Sequence, residues 1–164
     1  MSEKIRVGGY VKLAKLWEKR RDAALSYHRN YYSEKYRNSE IFELADVYVD
    51  ITGNKHIVKR PEMVRLLSDC LKGRVECIAV QTRAYLAADT REFSYLFHFL
   101  RDAGEGIDII TEDKDYNINT ILNRENQTEE LERMARKLIL LNPKDHGDWK
   151  KEIIDKIKSF EEER

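Results

Sequence analysis

The sequence predicts an α/β fold, in which a mostly parallel sheet of four to five strands carries helices on both faces and is followed by a C-terminal helical pair. Three observations predict this class. Short apolar runs alternate with longer segments of helical periodicity, in the order βαβαβαβαα. The run at 75–80 is apolar at almost every position, as in a strand buried on both faces. With 41% hydrophobic residues among 164, the chain can bury one substantial core.

The first half of the chain supplies two strands and a long helix. Ile5 to Leu13 is the first predicted strand, and its Gly8-Gly9 pair indicates close backbone packing because no phosphate-loop motif follows. Residues 15–37 are predicted to form one long helix, rich in basic residues and tyrosines. Such a helix could bind nucleic acid, but a solvated helix whose tyrosine rings cover the core is the favoured interpretation. Residues 41–50 form the second predicted strand.

The middle of the chain continues the alternation. A polar, basic loop at 52–60 leads to Pro61, which begins a helix at the position where its missing N–H is tolerated. That helix ends near Gly73 and is followed by the strand at 75–80. Either Asp89 or Thr90 is then expected to cap the next helix, which ends at Gly104.

The last part of the chain predicts one more strand and two helices. Residues 106–111 form the strand, and the acidic residues 112–115 form a turn rather than a calcium loop. A short mixed segment at 116–122 precedes helices at 125–141 and 145–162, which Asn142-Pro143 separates. We therefore predict an α/β domain at 1–124 and a helical extension at 125–164. The extension would pack on the domain as a hairpin or form a dimer surface.

Composition narrows the possible functions. The 30 basic residues balance 30 acidic ones, which disfavours a strongly basic nucleic-acid-binding domain but allows local basic clusters. Cys70 and Cys77 lack the spacing of a metal or redox motif, so both are expected to be core residues in a reducing cytoplasm. We expect no cofactor and no metal. No apolar segment resembles a signal peptide or a membrane span, so neither secretion nor membrane attachment is expected.

Any function is expected at the carboxyl ends of the strands, where parallel sheets place their ligands. The loop at 81–88 lies there and contains one charged residue, Arg83. No Ser-His-Asp or Cys-His arrangement can be read from the sequence. The sequence therefore predicts a strand-end site with little catalytic chemistry.

Several motifs occur in an order typical of one family. Tyr10-Val-Lys-Leu-Ala14 is similar to the motif Tyr-x-Arg-Val-Ser. Residues 49–63 are similar to the segment Asp-Glu-Gly-x-Ser-Gly…Arg-Pro-Glu-Phe, and 81–90 fall on the motif Ser-Arg-Phe-x-Arg-Asn/Asp-Thr. Residues 108–122 are similar to the segment that leads into Ile-Asn-Thr. In this order, residues 4–122 resemble the catalytic domain of the serine recombinases, the resolvases and invertases of DNA recombination and mobile elements.

The resemblance implies a resolvase-like fold with a degenerate active site. In that family a serine attacks a DNA phosphate, and several arginines stabilise the transition state. The positions that the resemblance assigns to this site hold Lys12, Ala14, Arg60, Ala84, Tyr85 and Ala88. The nucleophilic serine is thus replaced by Ala14, and among these six positions only Arg60 is an arginine. The expected consequence is an inactive recombinase-like protein, although the family as a whole consists of enzymes.

Two functional hypotheses follow. The first is an accessory or regulatory protein that associates with itself as a homo-oligomer, with an active recombinase, or weakly and non-specifically with DNA. Its candidate phosphate contacts are Lys12, Lys55, Lys59, Arg60 and Arg83. The alternative is a small-molecule or nucleotide-binding protein, which would need a closed pocket near Lys12, Arg60 and Tyr85. A cytoplasmic location is expected for both.

Overall fold

The computed structural model describes residues 3–103, 106–112 and 127–162, and the side chains of 127–132 are not included. Its strands are β1 Ile5–Leu13, β2 Phe42–Ile51, β3 Cys77–Val80 and β4 Asp108–Thr111. Its helices are α1 Arg21–Tyr36, α2 Pro61–Leu71, α3 Thr90–Asp102, α4 Gln127–Leu141 and α5 Pro143–Glu162. Short 3₁₀ segments lie at Lys15–Arg20, Ile57–Lys59 and Arg83–Tyr85.

The four strands form one parallel sheet with the order β2-β1-β3-β4. Each face has its own core. On one face, α1 places Tyr32 and Tyr36 against Val7 and Val11 of β1. On the other face, the core is built by α2 and α3, with contributions from α4 and α5. The predicted α/β fold with helices on both faces of a parallel sheet is therefore confirmed.

The C-terminal helices form part of the second core. Ala135 of α4 and Ile153 and Ile157 of α5 are buried in the same cluster as the apolar residues of α2 and α3. Helix α5 begins at Pro143, two residues earlier than predicted. A proline is favoured at the first helical position, so Pro143 starts α5 in addition to ending the preceding helix. No helix in the described ranges is long and apolar enough to cross a membrane.

The glycine pair in β1 allows two side chains to approach the backbone. A Cβ added at Gly8 would lie 2.8 Å from Leu66 Cδ1, and one at Gly9 would lie 2.8 Å from the Tyr32 ring. Real Cβ atoms essentially never approach so closely. The prediction that this pair serves close packing is confirmed.

Several predicted boundaries were wrong. Residues 15–20 form a 3₁₀ segment rather than the start of the α-helix, and the Trp17 N–H donates to the Ala14 carbonyl at 2.9 Å in an i→i+3 pattern. Strand β3 begins at Cys77 rather than at 75, because the Val75 N–H turns back to the Asp69 carbonyl at 3.3 Å. The strand predicted at 106–111 begins at Asp108, and Gly106 has a φ of 100°.

One of the remaining sequence expectations is confirmed, and the others concern residues outside the described ranges. Cys70 and Cys77 are both buried and free, as expected of core residues. The end of a helix at Gly104, the turn at 113–115, the mixed segment at 116–122 and the boundary at 124/125 lie outside the described residues.

Candidate functional site at the strand ends

A buried hydrogen-bond chain occupies the carboxyl ends of β1 and β2. The Tyr10 hydroxyl donates to Asp50 Oδ2 at 2.8 Å. Asp50 also accepts the backbone N–H groups of Glu62 and Met63, each at 2.9 Å. Both N–H groups belong to the first turn of α2, where a negative charge is stabilised by the helix dipole. The carboxylate of Asp50 therefore joins the second strand to the start of α2.

Burial changes the acid–base properties of this chain. Asp50 is 4% exposed, and burial raises its pKa above the usual range even though the α2 N–H groups and Tyr10 oppose the shift. Burial also raises the pKa of Tyr10 far above its usual value, and the charge of Asp50 adds to that shift. The Tyr10 hydroxyl is therefore protonated and committed to Asp50, which makes it a poor nucleophile.

Arg60 is the most deeply buried cation in the described part of the chain. Its side chain is 1% exposed, and Nη1 donates to the Tyr85 carbonyl and, at 3.4 Å, to the Leu86 carbonyl. Nη2 donates to the Lys55 carbonyl, whereas Nε is buried without a partner. The guanidinium thus links the loop before α2 to the loop after β3. The guanidinium is not exposed to a ligand, because the side chain is buried and both Nη groups bind backbone carbonyls.

Lys12 and Lys55 form the accessible positive charge of the site. Lys12 is half-buried in β1, and burial followed by the neighbouring charge of Arg60 lowers its pKa. Lys55 is exposed, and its charge also lowers the pKa of Lys12. These three basic residues are the predicted site residues that the fold brings together.

The loop after β3 holds a separate cavity of about 290 Å³. It is lined by Thr82, Arg83, Ala84, Ala87, Ala88, Asp89, Thr90 and Phe93. The Arg83 guanidinium lies over the Phe93 ring, with its Cζ 4.2 Å from the ring centroid. Asp89 caps α3 by accepting the Glu92 N–H at 2.8 Å, which resolves the choice between Asp89 and Thr90. A carboxylate at this helix N-terminus disfavours a phosphate there.

The other predicted residues are dispersed. Lys59 is exposed and lines a different cavity of about 200 Å³, together with Lys156 and Phe160 of α5. Ala14 is exposed just beyond β1, and Ala84 is exposed in the next loop. The small-molecule hypothesis requires a pocket near Lys12, Arg60 and Tyr85. The cavity of about 290 Å³ is not that pocket, because none of these residues lines it.

Sequence reasoning missed two acidic residues that organise the site. Glu92 is 7% exposed, and its carboxylate accepts the N–H groups of Ala88 at 2.8 Å and Ile57 at 3.3 Å. Its position three residues after the Asp89 cap is the capping-box spacing, a signal that was available in the sequence. Asp50 carried a signal too, as the charged residue within the apolar run 47–51.

Solved structures with the same architecture are known. The N-terminal catalytic domain of TP901-1 integrase superposes with a TM-score of 0.54 at 19% identity, over 87% of this chain and 97% of that chain. The C-terminal catalytic domain of ISC1926 TnpA, an IS607-like serine recombinase, superposes with a TM-score of 0.50 at 15% identity, over 66% of this chain and 70% of that chain. The fold is that of a serine-recombinase catalytic domain. The resemblance seen in the sequence is thus confirmed at the level of the fold.

Sequence comparison adds no further information. No protein-family profile matches the recombinase-like chain, and no curated protein matches it. At identities of 19% and 15%, the structural similarity establishes the fold and not the chemistry of the site.

Proposed function

We propose that this chain is a catalytically inactive recombinase-like protein that acts by association: with itself, with an active recombinase, and weakly with duplex DNA. The proposal rests on the hydrogen bonds of Arg60. Its buried guanidinium binds carbonyls of the loop before α2 and of the loop after β3. At 1% exposure, and with both Nη groups bound to backbone carbonyls, this arginine holds the two loops together and offers no exposed fork to a phosphate.

The chemistry of phosphoryl transfer supports the same conclusion. That reaction needs a nucleophile and cationic groups aimed at the phosphate oxygens. The residue after β1 is Ala14, which has no nucleophilic atom, and Tyr10 is bound to Asp50. Losing one preorganised donor typically costs about 2.7–4 kcal/mol of transition-state stabilisation. Loss of the nucleophile together with several donors is therefore expected to abolish strand cleavage.

The accessible ammonium groups of Lys12 and Lys55 support weak DNA binding. Two phosphate contacts predict a slope of log K against log salt of about −2, because each contact releases roughly 0.9 counterions. Between 50 and 200 mM salt, this slope corresponds to a roughly tenfold loss of affinity. The balanced net charge supplies no larger electrostatic attraction.

Fluorescence anisotropy with a labelled generic duplex tests DNA association. The double variant Lys12→Ala/Lys55→Ala should weaken binding at 50 mM salt and flatten the salt dependence. Lys158→Ala, which removes an exposed cation from α5, is the matched control and should change neither quantity. Absence of binding at 50 mM salt would remove duplex DNA from the proposal, and an unchanged salt slope in the double variant would remove this site.

Association with an active recombinase is tested separately. The chain is added in increasing amounts to a recombination reaction catalysed by an active serine recombinase, and the initial rate is recorded. A dose-dependent change that Lys158→Ala preserves is the expected result. A rate that stays constant at a large molar excess of this chain, with a monomer seen by sedimentation, would contradict an accessory role.

A further inference from the structure

An apolar groove of about 410 Å³ opens beside the 3₁₀ segment at 15–20 and α1. Its lining includes Trp17, Arg20, Ala23, Ala24, Tyr27 and His28. None of these residues belongs to the strand-end site described above. The groove therefore requires an explanation of its own.

Two aromatic rings are left uncovered at this groove. Trp17 is 46% exposed and Tyr27 is 64% exposed, although rings of this size usually bury most of their surface. The Tyr27 ring packs edge-on against His28, with centroids 5.0 Å apart and planes at 87°. Exposed aromatic rings beside an apolar groove are typical of a binding surface.

Arg20 lines this groove, and two further cations lie on the same 3₁₀ segment. Lys15, Lys19 and Arg20 are exposed, and none has an ion-pair partner in the described ranges. Two carboxylates lie beside them: Glu18, which the Arg21 guanidinium binds at 2.7 and 2.8 Å, and Asp22. A polar hollow of about 470 Å³ adjoins the groove and shares Arg20 and Ala23 with it. An apolar ring surface thus lies next to a polar hollow whose three cations, Lys19, Arg20 and Arg21, outnumber its two carboxylates.

His28 adds a polar group to the apolar lining. Its Nδ1 is buried and has no hydrogen-bond partner. Burial lowers the pKa of His28, so the imidazole is neutral near pH 7. His28 therefore adds no charge to the lining of the groove near pH 7.

We propose that this groove binds an unpaired nucleobase of a single-stranded nucleic acid. The base stacks on Trp17 and Tyr27, and the flanking phosphates face Lys19 and Arg20. A positively charged surface with aromatic platforms is the general design of such sites. Duplex DNA does not fit, because its base faces are already covered by stacking. The proposal is independent of the proposed function, which uses the strand-end cations and protein association.

The test is fluorescence anisotropy of labelled (dT)₂₀ with the full chain at 50 mM salt, beside a duplex of equal length. Single-stranded DNA should bind more tightly than the duplex. Trp17→Ala and Tyr27→Ala should each weaken binding about 5- to 150-fold, the range measured for loss of one stacking ring. Trp17→Phe keeps an aromatic ring at this position and should retain most of the wild-type affinity. Leu140→Ala is the matched control, because it truncates an 80% exposed apolar side chain on α4.

Several outcomes would overturn the proposal. One is the absence of (dT)₂₀ binding at 50 mM salt, and another is equal affinity of wild type, Trp17→Ala and Tyr27→Ala. A sedimentation experiment covers the competing occupant: if Trp17→Ala dissociates a dimer and (dT)₂₀ does not bind, the groove holds a second copy of the chain. Circular dichroism of each variant separates loss of binding from loss of fold, and Tyr27→Ala decides the matter if Trp17→Ala unfolds.

Discussion

Replacement of Arg60 by methionine tests whether this residue stabilises the strand-end loops. The change removes the guanidinium but keeps a long apolar stem in a site that is 1% exposed. Two charge-assisted bonds, to the carbonyls of Lys55 and Tyr85, are lost, and the 3.4 Å contact with Leu86 is a minor addition. At about 1.5–3 kcal/mol for each bond to a charged group, the gross loss is roughly 3–6 kcal/mol.

An opposing effect reduces the loss caused by Arg60→Met. A buried guanidinium carries a desolvation penalty of several kcal/mol, and the methionine variant is relieved of it. The carbonyls of Lys55 and Tyr85 belong to an exposed and a half-buried residue, so both can recruit water. We therefore expect a net destabilisation of about 1–3 kcal/mol, which for a chain of this length lowers Tm by roughly 2–12 °C.

The assay is chemical and thermal unfolding of Arg60→Met beside wild type and Lys59→Met. Lys59→Met is the matched control, because it makes the same replacement at the adjacent, exposed position and should stay within about 0.5 kcal/mol of wild type. Amide exchange should rise in the 52–60 and 81–88 loops and remain low in β1. A variant as stable as wild type, or more stable, would refute the view that Arg60 is a structural link.

Three further predictions concern the core and the site. Gly9→Ala forces a Cβ into the Tyr32 ring and should destabilise the chain by about 1–3 kcal/mol in urea unfolding, whereas Gly53→Ala, with nothing within 4 Å, should not. Equal effects of the two changes would contradict this packing. Glu92→Gln weakens the acceptor of two loop N–H groups and should cost about 1–2 kcal/mol; an unchanged unfolding midpoint would argue against that role. Burial chiefly lowers the pKa of His146, so the unfolded chain binds more protons and stability should fall as pH drops from 7.5 to 5.5. The slope should be shallower in His146→Gln, and an identical slope would contradict the account.

Much of the fold could be predicted because local patterns and tertiary packing agree. Strand β1 and helix α2 have the predicted bounds, since the alternating apolar run and the Pro61 start are decided by short-range chemistry. The 3₁₀ segment at 15–20 could not be predicted, because its composition is equally suited to an α-helix. Its geometry depends on where β1 leaves the sheet, which is a tertiary property.

The candidate site was predicted less completely for a similar reason. Motif order assigned Lys12 and Arg60 to one site, and Lys55 was added to them as part of the basic loop. The sequence could not show that the Arg60 guanidinium binds backbone carbonyls. Every residue has a carbonyl group, so residue types do not reveal which carbonyls accept a hydrogen bond. Lys59 and Arg83 were grouped with these residues by charge alone. In the structure, Lys59 lines a cavity beside α5, and the Arg83 guanidinium lies over the Phe93 ring.

The most direct test of the central claim is a search for covalent protein–DNA adducts on denaturing gels. Wild type and Ala14→Ser are incubated with a pool of random duplexes, and an active serine recombinase on its own site is the positive control. We expect no adduct from either protein. The introduced hydroxyl would still lack arginine partners, because Arg60 is bound to carbonyls and positions 12, 85 and 88 hold lysine, tyrosine and alanine. An adduct formed by the wild-type chain would contradict the account of a recombinase fold without recombinase chemistry.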